Sequence, residues 1–158
     1  MSANAPQTVI LGIGNILLTD DGAGIRAMEH FMAHHDRGGL RFVDGGTLSF
    51  ALAVEIETCR NLIVFDAAEL KSVPGTVRAY VGDELDGFLR RRGKASVHEV
   101  GLIDLLAVAA LSDALPVNRA LVAIQTQATD WGEVLSPLVA EAIPRAANLA
   151  AEVIQSWN

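Results

Sequence analysis

The chain has 158 residues, 51% of them hydrophobic and 20% charged, and carries a net charge of −7 at neutral pH. That length suits a single domain spanning residues 1–158, which buries roughly 70% of the surface its unfolded chain exposes and so needs no disulfide or structural metal. An excess of 19 acidic over 12 basic residues argues against a nucleic-acid partner, and no apolar run is long enough for a membrane span. Residues 1–7 offer neither the basic nor the apolar stretch of a secretory leader, and Cys59 stands alone. A cytoplasmic, monomeric protein without cysteine-rich metal clusters is expected.

Strand and helix patterns alternate along the chain. Residues 8–13 form a short β-branched apolar run, the mark of a strand buried on both faces. After Asp20-Asp21-Gly22, the spacing of Ile25, Met28 and Met32 predicts a helix over 23–34. A second strand is expected over 40–43, closed by Asp44-Gly45-Gly46, then a helix over 49–58. A third buried strand covers 61–65 and ends at Asp66. Pro74-Gly75 marks a turn, and 76–81 alternates like an edge or antiparallel strand. Ser96 and Glu99 have capping-box spacing, which predicts a helix from 97 to about 111. The fifth strand spans 120–125. The last helix opens at Ser136-Pro137, with serine as N-cap, and Pro144 should kink or split it. The sum is an α/β fold, a three-layer α/β/α sandwich around a mostly parallel, about five-stranded twisted sheet.

In such folds ligands bind beyond the carboxyl ends of the strands. Gly12-x-Gly14 after the first strand suggests a dinucleotide fingerprint, but the third glycine position holds Leu17. Asp20 and Asp21 would also repel a pyrophosphate at the helix start. Each acidic residue has an ordinary explanation by itself: an aspartate caps a helix, and a strand-end aspartate turns the chain. What weighs against this is convergence. Asp21, Asp66 and His98 all fall at strand ends or helix starts that this topology brings to one sheet edge. Two carboxylates and an imidazole suit Zn(II), Ni(II) or Fe(II), with positions left open for substrate. Glu99 and Asp20 are candidates to hold these ligands through hydrogen bonds, and Asn15, Asp44, Gly45 and Gly46 line the same cleft. Backbone at the two glycines can approach a bound peptide closely. No G-x-S-x-G elbow exists, Cys59 reads as a buried structural thiol, and His30, His34 and His35 read as a solvated helix end. The basic run from Arg90 to Lys94 is expected to be a solvated loop, with steering of a partner as the alternative.

The stretch Gly12-Ile-Gly-Asn-Ile-Leu-Leu-Thr-Asp-Asp-Gly-Ala-Gly24 resembles the opening motif of the hydrogenase maturation endopeptidases. Val43-Asp-Gly-Gly-Thr47, Ile63-Val-Phe-Asp-Ala67 and Ser96-Val-His-Glu-Val-Gly-Leu102 resemble that family's following blocks in order. Ile124-Gln-Thr-Gln127 and Asp130-Trp-Gly-Glu133 are similar to its last one. The resemblance implies a nickel-dependent protease that trims a C-terminal extension from the [NiFe] hydrogenase large-subunit precursor after nickel insertion. It also implies nickel ligands at Asp21, Asp66 and His98, with the nickel carried by the substrate and no tightly held metal in the free enzyme. A self-sufficient zinc hydrolase and a nickel-checking chaperone that binds without cutting remain as alternatives.

Overall fold

A computed structural model describes residues 8–92 and 101–158. Five strands form one sheet in the order β2-β1-β3-β5-β4: β1 (Thr8–Ile13), β2 (Leu40–Gly46), β3 (Asn61–Ala68), β4 (Val77–Val81) and β5 (Asn118–Gln125). All pairings are parallel except β4 with β5. Every residue of β1 and β3 is buried, as continuous apolar runs in the middle of a parallel sheet require. The antiparallel edge strand is where the alternating 76–81 pattern placed it.

Strand alternation divides the core. Ile10, Ile63, Phe65 and Val122 pack against α1 (Ala23–His34) and α5 (Pro137–Ser156) on one face. Leu11, Leu62, Val64 and Leu121 face α3 (Asp83–Arg92) and α4 (Leu102–Leu111), with α2 (Ala53–Glu57) beside them. This is the predicted three-layer sandwich. No helix among the described residues is long and apolar enough to cross a membrane.

Several local expectations are corrected. Strand β3 runs on to Ala68, so Asp66 lies inside it, in register with Ala123, and does not end it. Residues 49–58 open as a 3-10 turn at Phe50–Leu52 before the short α2. Gly93 and Lys94 lie outside the described residues, but the first three residues of the basic run are not a loop: Arg90, Arg91 and Arg92 form the last turn of α3, a helix the strand-and-helix pattern does not include. Its acidic start, its basic end and the 3,4 spacing of buried Leu85, Phe88 and Leu89 are sufficient signals for it. Helix α4 begins at Leu102 with extended Gly101 as its N-cap, and the Asp104 carboxylate accepts the Gly101 N–H at 2.8 Å. The capping pair of α4 is therefore Gly101 and Asp104, five residues beyond the expected pair Ser96 and Glu99, which lies outside the described residues. Helix α5 continues unbroken through Pro144. Pro144 and Ala140 are both exposed, so the carbonyl that loses its partner meets water.

Candidate active site

The chain leaves β1 for β2 on one side, while β3 and β5 are added on the other. The order reverses between β1 and β3, and a doubly wound sheet opens a crevice at such a point. Asp21 lies in the 3-10 turn Thr19–Gly22 that follows β1, and Asp66 lies on β3. Topology alone therefore brings these two carboxylates to the same crevice.

The loop after β1 is built to hold Asp21. The Asn15 N–H donates to Asp21 Oδ2 at 2.9 Å, and the Asn15 side-chain oxygen accepts the Leu17 N–H at 2.9 Å. Among the described residues the Asp21 carboxylate accepts no other hydrogen bond. Gly14 has φ +134, and a Cβ there would collide with the Asp21 carbonyl oxygen. Only glycine lets the loop double back this tightly. The Gly14 N–H donates to the Gly46 carbonyl at 2.9 Å, which ties the end of β2 to the loop.

Asp20 does a different job from its neighbour. It is fully buried and accepts four hydrogen bonds: from Gln127 N–H (2.9 Å), Ala128 N–H (2.9 Å), Ser136 N–H (2.7 Å) and the Ser136 hydroxyl (2.8 Å). Burial alone would push its pKa up, but these donors outweigh that, and the pKa lies below the usual aspartate value. The Ser136 hydroxyl is thus committed to Asp20 and does not cap α5. Thr19 reinforces the seam, its N–H donating to Gly132 O at 2.7 Å and its hydroxyl to Ala128 O at 2.7 Å. Asp20 fastens the 127–136 loop beneath Asp21.

Asp66 has far less support. It projects from β3 toward the α3 and α4 face, on the same side as Leu62 and Val64. Its only side-chain partner among the described residues is Arg92, the last residue of α3, whose Nη1 donates to Oδ2 at 3.1 Å. Burial pushes the Asp66 pKa up to about 7; the Arg92 charge and hydrogen bond oppose this, and the nearby charge of Asp21 adds to it. Asp21 and Asp66 are therefore close enough to feel one another. Helix α3 is itself anchored to the sheet by Arg119 of β5, whose Nη2 and Nε donate to Asp86 at 2.6 and 3.2 Å.

The remaining site candidates divide. Asp44 Oδ1 accepts the Gly46 N–H at 2.9 Å and shapes the end of β2. Gly45 sits at an irregularity in the β1–β2 register, where a Cβ would press on Leu11 and Ile13. These residues adjoin the first loop; packing is sufficient to explain Gly45, and a φ of +48 explains Gly46. His98 and Glu99 lie outside the described residues. Among the described residues no three His, Cys, Asp or Glu side chains meet as a metal-binding group. The donors present are the two carboxylates. The Cys59 thiol is buried, its pKa pushed up to about 11 by burial, and is no nucleophile. Arg92 is the one site residue the sequence reading treats only as part of a basic run.

Residues 25–153 match the family model of HycI, hydrogenase maturation protease. The chain belongs to the hydrogenase maturation protease family. It is similar to the hydrogenase expression/formation protein HupD of Rhizobium leguminosarum bv. viciae, 36% identical over 156 residues that cover 98% of this chain and 77% of the relative. It is also similar to the hydrogenase 2 maturation protease of Escherichia coli, 29% identical over 84% of this chain and 81% of that protein. Among solved structures, the hydrogenase maturating endopeptidase HybD of E. coli superposes with a TM-score of 0.85 at 28% identity, over 95% of this chain and 93% of that one. The [NiFe] hydrogenase maturation protease HybD of Thermococcus kodakarensis superposes at 0.76 and 28% identity, over 93% and 98%.

Membership makes the chain a protease, and its chemistry must be found among the residues of the crevice. Asp66 is a buried carboxylate paired with one half-exposed guanidinium, and Asp21 is a carboxylate held by one backbone amide. Both are hard oxygen donors suited to a divalent metal.

Proposed function

We propose that this protease removes the C-terminal extension from a [NiFe] hydrogenase large-subunit precursor after nickel has been inserted. It acts as a single cytoplasmic, monomeric domain. Asp21, Asp66 and His98 complete the coordination of nickel that the precursor already holds, so the metal arrives as part of the substrate. Nickel in that position polarises the scissile carbonyl or lowers the pKa of an attacking water. Asn15 keeps Asp21 aimed at the crevice, and the seam under Asp20 keeps the loop rigid while a large partner docks. The observation that carries this reading is the pairing of Asp21 and Asp66 at the switch point of a chain from this family. His98, which lies outside the described residues, is the third ligand that the family resemblance implies.

The test is mass spectrometry of a large-subunit precursor incubated with the protein, with and without nickel in the precursor. Loss of one C-terminal peptide from the nickel-loaded form alone is expected. Cleavage of both forms would identify a self-sufficient hydrolase, and binding without a change in mass would identify a chaperone.

A further inference from the structure

The mechanism above leaves Arg92 without a role. Its guanidinium lies on Asp66 at 3.1 Å, with the arginine side chain 39% exposed and the carboxylate 12% exposed. A buried carboxylate facing a second carboxylate needs a counter-cation, and guanidinium supplies one that cannot be deprotonated. The rest of α3 is fixed by Leu85, Phe88, Leu89 and the Asp86–Arg119 pair. Arg92 alone reaches into the crevice, on a long side chain at the helix end with one face in water. Arg90 and Arg91, in the same turn, are exposed and form no ion pair among the described residues. A metal that takes Asp66 Oδ2 competes with the guanidinium for that oxygen.

We propose that Arg92 is a displaceable counter-cation that closes the Asp21–Asp66 pair to free metal ions, so that only metal delivered on a docked precursor gains the site. A free ion must expel the guanidinium with nothing but its own coordination energy. A metal held by the precursor does so with the contacts of a whole protein interface behind it. Arg92 is thus a specificity-determining residue, acting through Asp66 on which form of the metal is accepted. This rests on the ligand roles assigned to Asp21 and Asp66 under the proposed function.

The experiment is a titration of the metal-free protein with Ni(II) against a chromophoric chelator, with no precursor present. Arg92→Gln should bind Ni(II) about tenfold more tightly than the wild type, the effect of one nearby charge. Arg92→Lys keeps the charge and should stay close to the wild type, and adding Asp66→Asn to Arg92→Gln should return binding to the weak level. Equal or weaker binding by Arg92→Gln, or tight binding by the wild type, overturns the proposal. Should Arg92→Gln not fold, the wild type decides: the Arg92 Nε–Hε NMR signal should stay in place with free Ni(II) and shift when nickel-loaded precursor docks. A signal that free Ni(II) moves, or that the loaded precursor leaves unmoved, overturns the proposal. Processing of nickel-loaded precursor is scored separately. Tighter binding by Arg92→Gln with no cleavage by the wild type would sink the protease reading and leave the counter-cation standing.

Discussion

Asp20 and Asp66 are both buried carboxylates on the carboxyl side of the sheet, and their environments could hardly differ more. Asp20 receives four hydrogen bonds from one loop and titrates below the usual aspartate range. Asp66 has a half-exposed arginine as its one side-chain partner among the described residues, and burial pushes its pKa up to about 7. Burial alone therefore does not mark a functional acid. The number of fixed donors does: a fully satisfied carboxylate holds structure together, while one left short of donors is poised to accept a ligand.

The comparison breaks first at activity. Asp66→Asn and His98→Ala should each reduce trimming of nickel-loaded precursor to background, read as its change in mass, with circular dichroism unchanged. Either variant cutting at the wild-type rate would remove that residue from the centre. Asp20→Ala should act the opposite way, through stability. It strands the Gln127, Ala128 and Ser136 donors, at a cost of about 3 kcal/mol in denaturant unfolding. Because the folded pKa of Asp20 is lowered, its contribution is complete above the unfolded value near 3.8. It fades as pH falls through the lower folded value. The wild type should therefore lose stability in acid by a component that Asp20→Ala lacks.

The sign reverses at Asp66. Its folded pKa lies near 7 against an ordinary value of 3.8, so between those limits the native state binds the extra proton and stability falls as pH rises. Asp66→Asn removes that slope. In the metal-free protein it should be more stable than the wild type at pH 8, by about 1–3 kcal/mol. The gap should close toward pH 4 in thermal melts. A variant less stable than the wild type at pH 8 would mean that the Arg92 pair outweighs the burial of the charge.

Much of this was legible in the sequence. The buried strands showed as uninterrupted apolar runs, and the edge strand showed as alternation. Asp21 and Asp66 stood out because strand order forces their positions together. Asp20 was legible only as an acid beside another: its partners lie more than a hundred residues away, and long-range backbone donors leave no local pattern. Ser136 is the N-cap of α5, as its place before Pro137 implies, but the use of its hydroxyl by Asp20 leaves no local sign. Helix α3 had its signals, but Gly87 and a charge-rich surface hid a three-residue apolar stripe. Arg92 could not be separated from its neighbours in a basic run without knowing where the helix ends.

That separation gives the smallest predicted effect and the sharpest contrast. Arg91 and Arg92 are adjacent, carry the same charge, and share the favourable interaction of cations with the carboxyl end of α3. Among the described residues only Arg92 touches a carboxylate of the crevice. Arg91→Gln should therefore cost a few tenths of a kcal/mol in thermal or denaturant unfolding, the ordinary loss of one exposed charge at a helix end. It should leave both Ni(II) affinity and precursor trimming at wild-type levels. If Arg91→Gln tightened Ni(II) binding as much as Arg92→Gln, the effect would belong to the general field of the basic turn, and contact with Asp66 would not matter. A difference between the two neighbours, by contrast, assigns it to one guanidinium on one carboxylate, because their long-range fields at the crevice are nearly the same and screened alike by salt.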